Sequence, residues 1–159
     1  MCQGYFTTTD GQRRPRLSST AFLATDVNND LSFKSGSNVD FLVDTGADTT
    51  CFTRATAEKL GLSIGSREPT ADVSGVGPDT VPLYIIEEPF VLVFDERDEE
   101  TPNDFHYEYF NEMHVLPSLD GDILGRDFLS RFEIDWSDYH DRINMARIDD
   151  AEGDYDVIG

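Results

Sequence analysis

One carboxylate in this sequence stands where a carboxylate is costly to place. Asp44 ends a run of three apolar residues, Phe41, Leu42 and Val43, and is followed at once by the turn-forming pair Thr45-Gly46. A strand-to-turn corner of this kind holds a group in position for chemistry. A single Asp can polarise water, but hydrolysis of a peptide bond by carboxylates needs two acting together, one ionised as general base and one protonated as general acid toward the carbonyl. Two carboxylates about 3 Å apart cannot both ionise, so such a pair shares one proton and is acid and base at once. The chain has one such corner, and a twofold-symmetric homodimer would bring Asp44 of each copy to the axis and complete the pair.

Other chemistries find less support. There is no Gly-x-Ser-x-Gly elbow and no His-Glu-x-x-His, and neither Cys2 nor Cys51 has a His close by in sequence. Asp26, Asn28 and Asp30 match the opening of an EF-hand calcium loop, but Leu31 stands where that loop needs Gly, and Ser37 where it needs a bidentate Glu. His106, Glu108, Glu112 and His114 share the even positions of an alternating run and are potential zinc ligands. They stretch over ~27 Å at ~3.3 Å per residue, too far for one ion without a second strand folding back, and read instead as a solvent face.

The elements that must position Asp44 are mostly strands. Val39, Phe41 and Val43 alternate with Asp40 and Leu42, a strand with one apolar face running into the Asp44 corner. Leu17–Leu23 suits a strand, joined through a turn at 26–30 to Leu31-Ser32-Phe33 as a hairpin. A short helix is expected over Arg54–Leu60, started by Thr53 and closed by Gly61. Val73-Ser74-Gly75-Val76-Gly77-Pro78 is a glycine hairpin signal, and Val81–Ile86 and Phe90–Phe94 are strand material. The acidic stretch 95–104 reads as a solvated hairpin loop, followed from Phe105 to Val115 by a strand whose odd positions are apolar. Phe128, Leu129 and Phe132 lie at helical spacing, and Ile134, Trp136 and the stretch around Ile143 read as final strands. Residues 1–16 are expected to form an N-terminal arm, 17–148 one domain, and 149–159 an acidic tail that is disordered or ordered only by a partner.

Leu42-Val43-Asp44-Thr45-Gly46-Ala47-Asp48 resembles the active-site signature of the retropepsins, the retroviral-type aspartic proteases and their cellular relatives. Ile123-Leu124-Gly125-Arg126-Asp127 resembles the family's hydrophobic-hydrophobic-Gly-Arg segment, and Gly75-Val76-Gly77 fits its flap. The resemblance covers about residues 17 to 145. It implies an all-β, small closed barrel-like retropepsin fold with a flap hairpin and one or two short helices, acting as a homodimer. On this likeness Asp44 is the catalytic carboxylate, Thr45 bonds across the dimer axis, and Gly46 offers its carbonyl and a close backbone approach. Ala47 and Asp48 would bind substrate, with Asp48 ion-paired in a bidentate arrangement to Arg126. Gly75, Val76 and Gly77 would close over the peptide, while Ile123, Leu124, Gly125 and Arg126 support the site. The implied activity is an aspartic endopeptidase acting on peptide or protein substrates without metal or other cofactor. The same fold can also serve as a catalytically silent dimerisation or peptide-binding module. Val76, Ile123 and Leu124 point to an apolar groove, and Pro78 departs from the further glycine of viral flaps.

Composition fits this picture. The 159 residues carry 32 acidic and 12 basic side chains, a formal net charge of −20. Such a surface repels a polyphosphate backbone and excludes most nucleic-acid binding. Leu, Ile, Val and Phe make up about a quarter of the chain, above the ~20% below which a core is doubtful. Asp-rich, Lys-poor usage resembles proteins from salt-loving microbes, an ordinary acidic protein being the alternative. No segment approaches the ~18 apolar residues of a membrane span, no signal-peptide run follows the first residues, and two scattered cysteines make no disulfide framework; a cytoplasmic location is expected.

Overall fold

The strand that leads to Asp44 sets the architecture. In β3 (Ser37–Val43), Val39, Phe41 and Val43 are buried while Asn38 and Asp40 are exposed, as its alternation predicts. The computed structural model describes residues 2–24, 36–74, 79–96, 99–100, 102, 104–137 and 142–148. Among them the order is β1 (Cys2–Thr9), β2 (Gln12–Leu23), β3, β4 (Cys51–Phe52), α1 (Arg54–Lys59), β5 (Ala71–Ser74) and β6 (Thr80–Ile86). There follow β7 (Phe90–Asp95), β8 (Phe105–Phe110), β9 (Met113–Val115), β10 (Ile123–Leu124), α2 (Arg126–Leu129), β11 (Phe132–Ser137) and β12 (Arg142–Arg147). The fold is mainly β with two short helices among the described residues, as expected.

The main path of the sheet runs β11-β12-β1-β2-β3-β10-β4-β9-β6-β5, with β7 paired to β2 and β8. Of residues 1–16, expected as an arm, the described residues 2–16 supply β1 and the start of β2. The two strands meet through Asp10 (φ 51°) and Gly11 (φ 77°), the left-handed pair that a two-residue hairpin turn needs, and β1 then pairs with β12. Strands β11 and β12 are the final strands expected around Ile134, Trp136 and Ile143, and they pair antiparallel.

Phe41, Phe52, Phe90 and Phe110 make successive ring contacts at 5.6, 5.2 and 4.7 Å between centroids, and Phe128 joins them from α2. Strand β7 is buried on both faces: Phe90, Leu92 and Phe94 enter the main core, whereas Val91 and Val93 join Phe22 in a second cluster. This overturns the expectation for 105–115. The run is two strands broken at Asn111-Glu112, and in β8 the period of two is right but the faces are exchanged. Phe105, Tyr107 and Tyr109 cover the small second cluster, while Glu108, opposite Leu92, is 1% exposed. The potential zinc ligands therefore split into His106 with Glu108 on β8 and His114 with Glu112 at β9. The potential calcium loop at 26–30, the hairpin partner 31–33 and the tail 149–159 lie outside the described residues.

Thr53 caps α1, accepting a bond from the Thr56 amide at 3.2 Å, and Gly61 (φ 92°) carries the chain away from its end. The excursion at 95–104 joins the antiparallel pair β7 and β8, as a hairpin loop should.

Candidate functional site

Strand β10 is only two residues long, yet it determines the geometry around Asp44. It lies between β3 and β4, parallel to the first (Leu42 beside Ile123, Val43 beside Leu124) and antiparallel to the second (Ile123 beside Cys51). The Leu42 amide bonds Asp122 O at 2.9 Å and the Asp44 amide bonds Leu124 O at 3.0 Å, so the ladder runs to the catalytic candidate itself. Residues 44–50 must loop over the end of β10 to reach β4.

That loop is fastened at many points. The Gly46 amide donates to Asp44 Oδ1 at 2.9 Å, fixing the carboxylate's orientation, and the Ala47 amide donates to Asp44 O at 3.2 Å. From the other side, the Arg126 and Asp127 amides donate to Ala47 O (2.8 Å) and Asp48 O (3.1 Å). One oxygen of Asp127, Oδ1, accepts from the Thr50 amide at 2.9 Å, the Thr50 hydroxyl at 2.7 Å and the Phe128 amide at 2.8 Å. Thr50 Oγ1 in turn accepts from the Gly125 amide at 3.2 Å. Gly125 is required by space: a Cβ there would stand 2.5–2.8 Å from the backbone of Thr49.

Asp44 is half-buried, and Thr45 and Gly46 beside it are exposed. Ala47 is half-buried and Asp48 exposed. Arg126 Nη2 pairs with Asp48 Oδ1, a contact between two exposed side chains worth about 0–1 kcal/mol. Ile123 is partly exposed, but Leu124 is fully buried in the core, so it does not line a groove. The hairpin arms β5 and β6 pair Ser74 with Thr80, bracketing the expected flap; Gly75, Val76, Gly77 and Pro78 lie outside the described residues. A cleft of about 510 Å³ between β2, β3 and β7 is lined by residues such as Ser18, Asp40 and Phe105 and by none of 44–48.

Three residues that hold the site had no role assigned to them from sequence alone. Asp127 and Thr50 are the clamp just described. Asp122, 9% exposed, accepts from the Thr53 amide through Oδ1 and from the Thr56 hydroxyl through Oδ2, both at 2.8 Å, tying α1 to β10. The signal for all three was a short polar side chain next to an apolar strand or helix start, a place where free backbone amides need acceptors.

Cys51 sits beside His114 in the β4–β9 pair, which invites a thiol nucleophile. Burial, with the Asp127 charge adding to it, pushes the thiol up to about 11, so it stays protonated at neutral pH. Its Sγ contacts Thr49 O at 3.5 Å. Among the described residues no group of three or more His, Cys, Asp and Glu is placed to hold a metal ion.

Residues 30–95 match the family model described as aspartyl protease. No curated protein matches the chain in sequence. Among solved structures it is similar to a retropepsin-like aspartic protease from Rickettsia conorii, at 20% identity over 90% of this chain and 89% of that one, with a TM-score of 0.53. It is also similar to EIAV protease complexed with the inhibitor HBY-793 (22% identity, 78% and 92% covered, TM-score 0.45). The retroviral protease-like domain of Ddi1 from Leishmania major gives 19% identity, 82% and 88% covered, and a TM-score of 0.45.

Proposed function

Because this chain has the retropepsin-like aspartic protease fold, we propose that it is a homodimeric aspartic endopeptidase whose active site is assembled from Asp44 of two subunits. One Asp44, ionised, takes a proton from a water molecule; the other, protonated, gives its proton to the scissile carbonyl oxygen. Attack gives a tetrahedral diol, and return of a proton to the amide nitrogen releases the amine product. No covalent enzyme intermediate is needed.

The observation that carries this reading is the treatment of Asp44. Its loop is bound by the Leu124 carbonyl of β10, by amides of α2 and by the Asp127–Thr50 clamp, while its carboxylate stays half-buried at a corner flanked by exposed Thr45 and Gly46. A rigid mount for a side chain left accessible is what pre-organised catalysis requires. Two features support the dimer. Thr45 is exposed at the corner where a partner would meet it, and β11, the end strand of the path, carries Trp136 at 41% exposure. The exposed Asp48–Arg126 pair would bind substrate backbone at the rim, and 75–77 would act as flap.

The test is cleavage of a mixed peptide library at molar salt by the wild-type chain and by Asp44→Asn, with oligomeric state followed by sedimentation. Cleavage by the first and none by the second, with the dimer retained, is expected. Equal cleavage by both would refute the mechanism, and peptide binding without cleavage by the wild type would favour the silent binding module.

A further inference from the structure

Glu108 has no part in the chemistry above, yet it is the most deeply buried carboxylate among the described residues, at 1% exposure. A lone ionised carboxylate in a core is prohibitive, and an apolar residue of similar size would be cheaper. What surrounds Glu108 explains its charge. Arg131 Nη1 donates to Oε1 at 3.0 Å, Arg147 Nη1 donates to Oε2 at 2.6 Å, and His106 Nε2 also bonds Oε2. The arginines come from the turn after α2 and from β12, so one carboxylate ties three parts of the chain together.

Arg131 does more than neutralise it. Its Nη1 also donates to Tyr109 O at 3.0 Å, its guanidinium lies 4.3 Å from the Phe110 ring centroid, and its Nε donates to Asp127 O at 3.1 Å. Asp127 is the residue whose carboxylate holds Thr50 and whose amide holds Asp48 O. A continuous set of bonds thus runs from Glu108 through Arg131 to Asp127 and the loop of Asp44.

We propose that Glu108 is a positioning residue for the Asp44 loop, acting through Arg131, which reads the placement of α2 against β8 and passes it to Asp127. The planar guanidinium is essential: its Nη1 bonds Glu108 and Tyr109 O while its Nε reaches Asp127 O, a fixed spread of donors that a lysine ammonium cannot reproduce. The kinetic part of this inference rests on the peptidase reading; the structural part does not.

The experiment is residue-resolved amide hydrogen exchange on the full chain as wild type, Arg131→Lys and Glu108→Gln. Lysine keeps a positive charge for Glu108 and glutamine keeps its shape, so both variants are chosen to fold. Exchange at the Thr50, Arg126 and Asp127 amides should accelerate about fivefold or more in both. The Thr70 and Ala24 amides, bonded to Leu83 O and Pro89 O and to nothing in the cluster, should not change. Unchanged protection at the three loop-clamp amides in either variant, or uniform acceleration at all five, would overturn the proposal. On peptide substrate, kcat should fall in both variants with KM little changed, and a fall that appears only in KM would also count against it. A wild-type chain that cleaves nothing would sink the peptidase reading while leaving the exchange result to decide the positioning role.

Discussion

Replacing Gly125 by alanine adds one methyl group at the point where the β10–α2 turn crosses the Asp44 loop. The new Cβ would stand 2.5, 2.6 and 2.8 Å from the C, O and N of Thr49, against ordinary contact at about 3.5–4.0 Å. All three are backbone atoms, so no rotamer change relieves the overlap. Either strand must retreat by nearly an ångström, and both are tethered. Gly125 N donates to Thr50 Oγ1, Gly125 O accepts from the Phe128 and Leu129 amides, and Arg126 N holds Ala47 O. Overpacking costs about 1–3 kcal/mol, and one or two weakened hydrogen bonds add about 1 kcal/mol each. The expected loss is therefore about 2–5 kcal/mol, a fall in Tm of roughly 5–15 °C for a chain of this size. Chemical denaturation at molar salt measures it, with Gly121→Ala as control. No atom lies within 4 Å of a Cβ at Gly121, so that variant should stay within about 0.5 kcal/mol of the wild type. If Gly125→Ala were as stable as Gly121→Ala, the close approach of β10 and α2 to the Asp44 loop would be wrong.

Three other outcomes follow from charges. Burial pushes the Glu108 carboxyl up, but the hydrogen bonds of His106 and Arg131 and the charges of His106 and Arg147 outweigh it and hold it below its ordinary value. The unfolded chain then takes up the proton first, so this stabilisation is full above about pH 4.5 and is lost as pH falls through the lower folded value; Glu108→Gln should flatten the acid limb of stability against pH. Cys51, pushed up to about 11, should react with iodoacetamide at pH 8.5 far more slowly than a free thiol, and rapid labelling of the folded chain would contradict its placement. Two subunits of formal charge −20 repel each other in dilute buffer, so the proposed dimer should tighten as salt rises, and a dissociation constant equal at low and molar salt would count against it.

What could be read from residues alone was local. The alternation of Val39, Phe41 and Val43, the Thr53 cap and Gly61 stop of α1, and the carboxylate at the end of an apolar run each need only neighbours in sequence. The Asp10-Gly11 hairpin was also legible, as an Asp-Gly pair, but the residues around it show no clear period of two that would mark their strands. Glu108 illustrates what was not legible. A period of two says which residues share a face but not which face is buried, and Glu108 faces inward because arginines 23 and 39 residues away neutralise it. The insertion of β10 between β3 and β4 was equally hidden, since a two-residue strand has no period. The same holds for Asp127 and Asp122, whose partners lie 66 to 77 residues away in sequence.

The central claim is that one active site takes an Asp44 from each of two subunits. It is tested most directly by mixing wild-type chain with an equal amount of Asp44→Asn, allowing subunits to exchange, and measuring peptide cleavage at constant total protein. A shared site predicts about a quarter of the wild-type rate, because only dimers with two intact carboxylates work. A rate of about a half, as independent sites in each subunit would give, contradicts it.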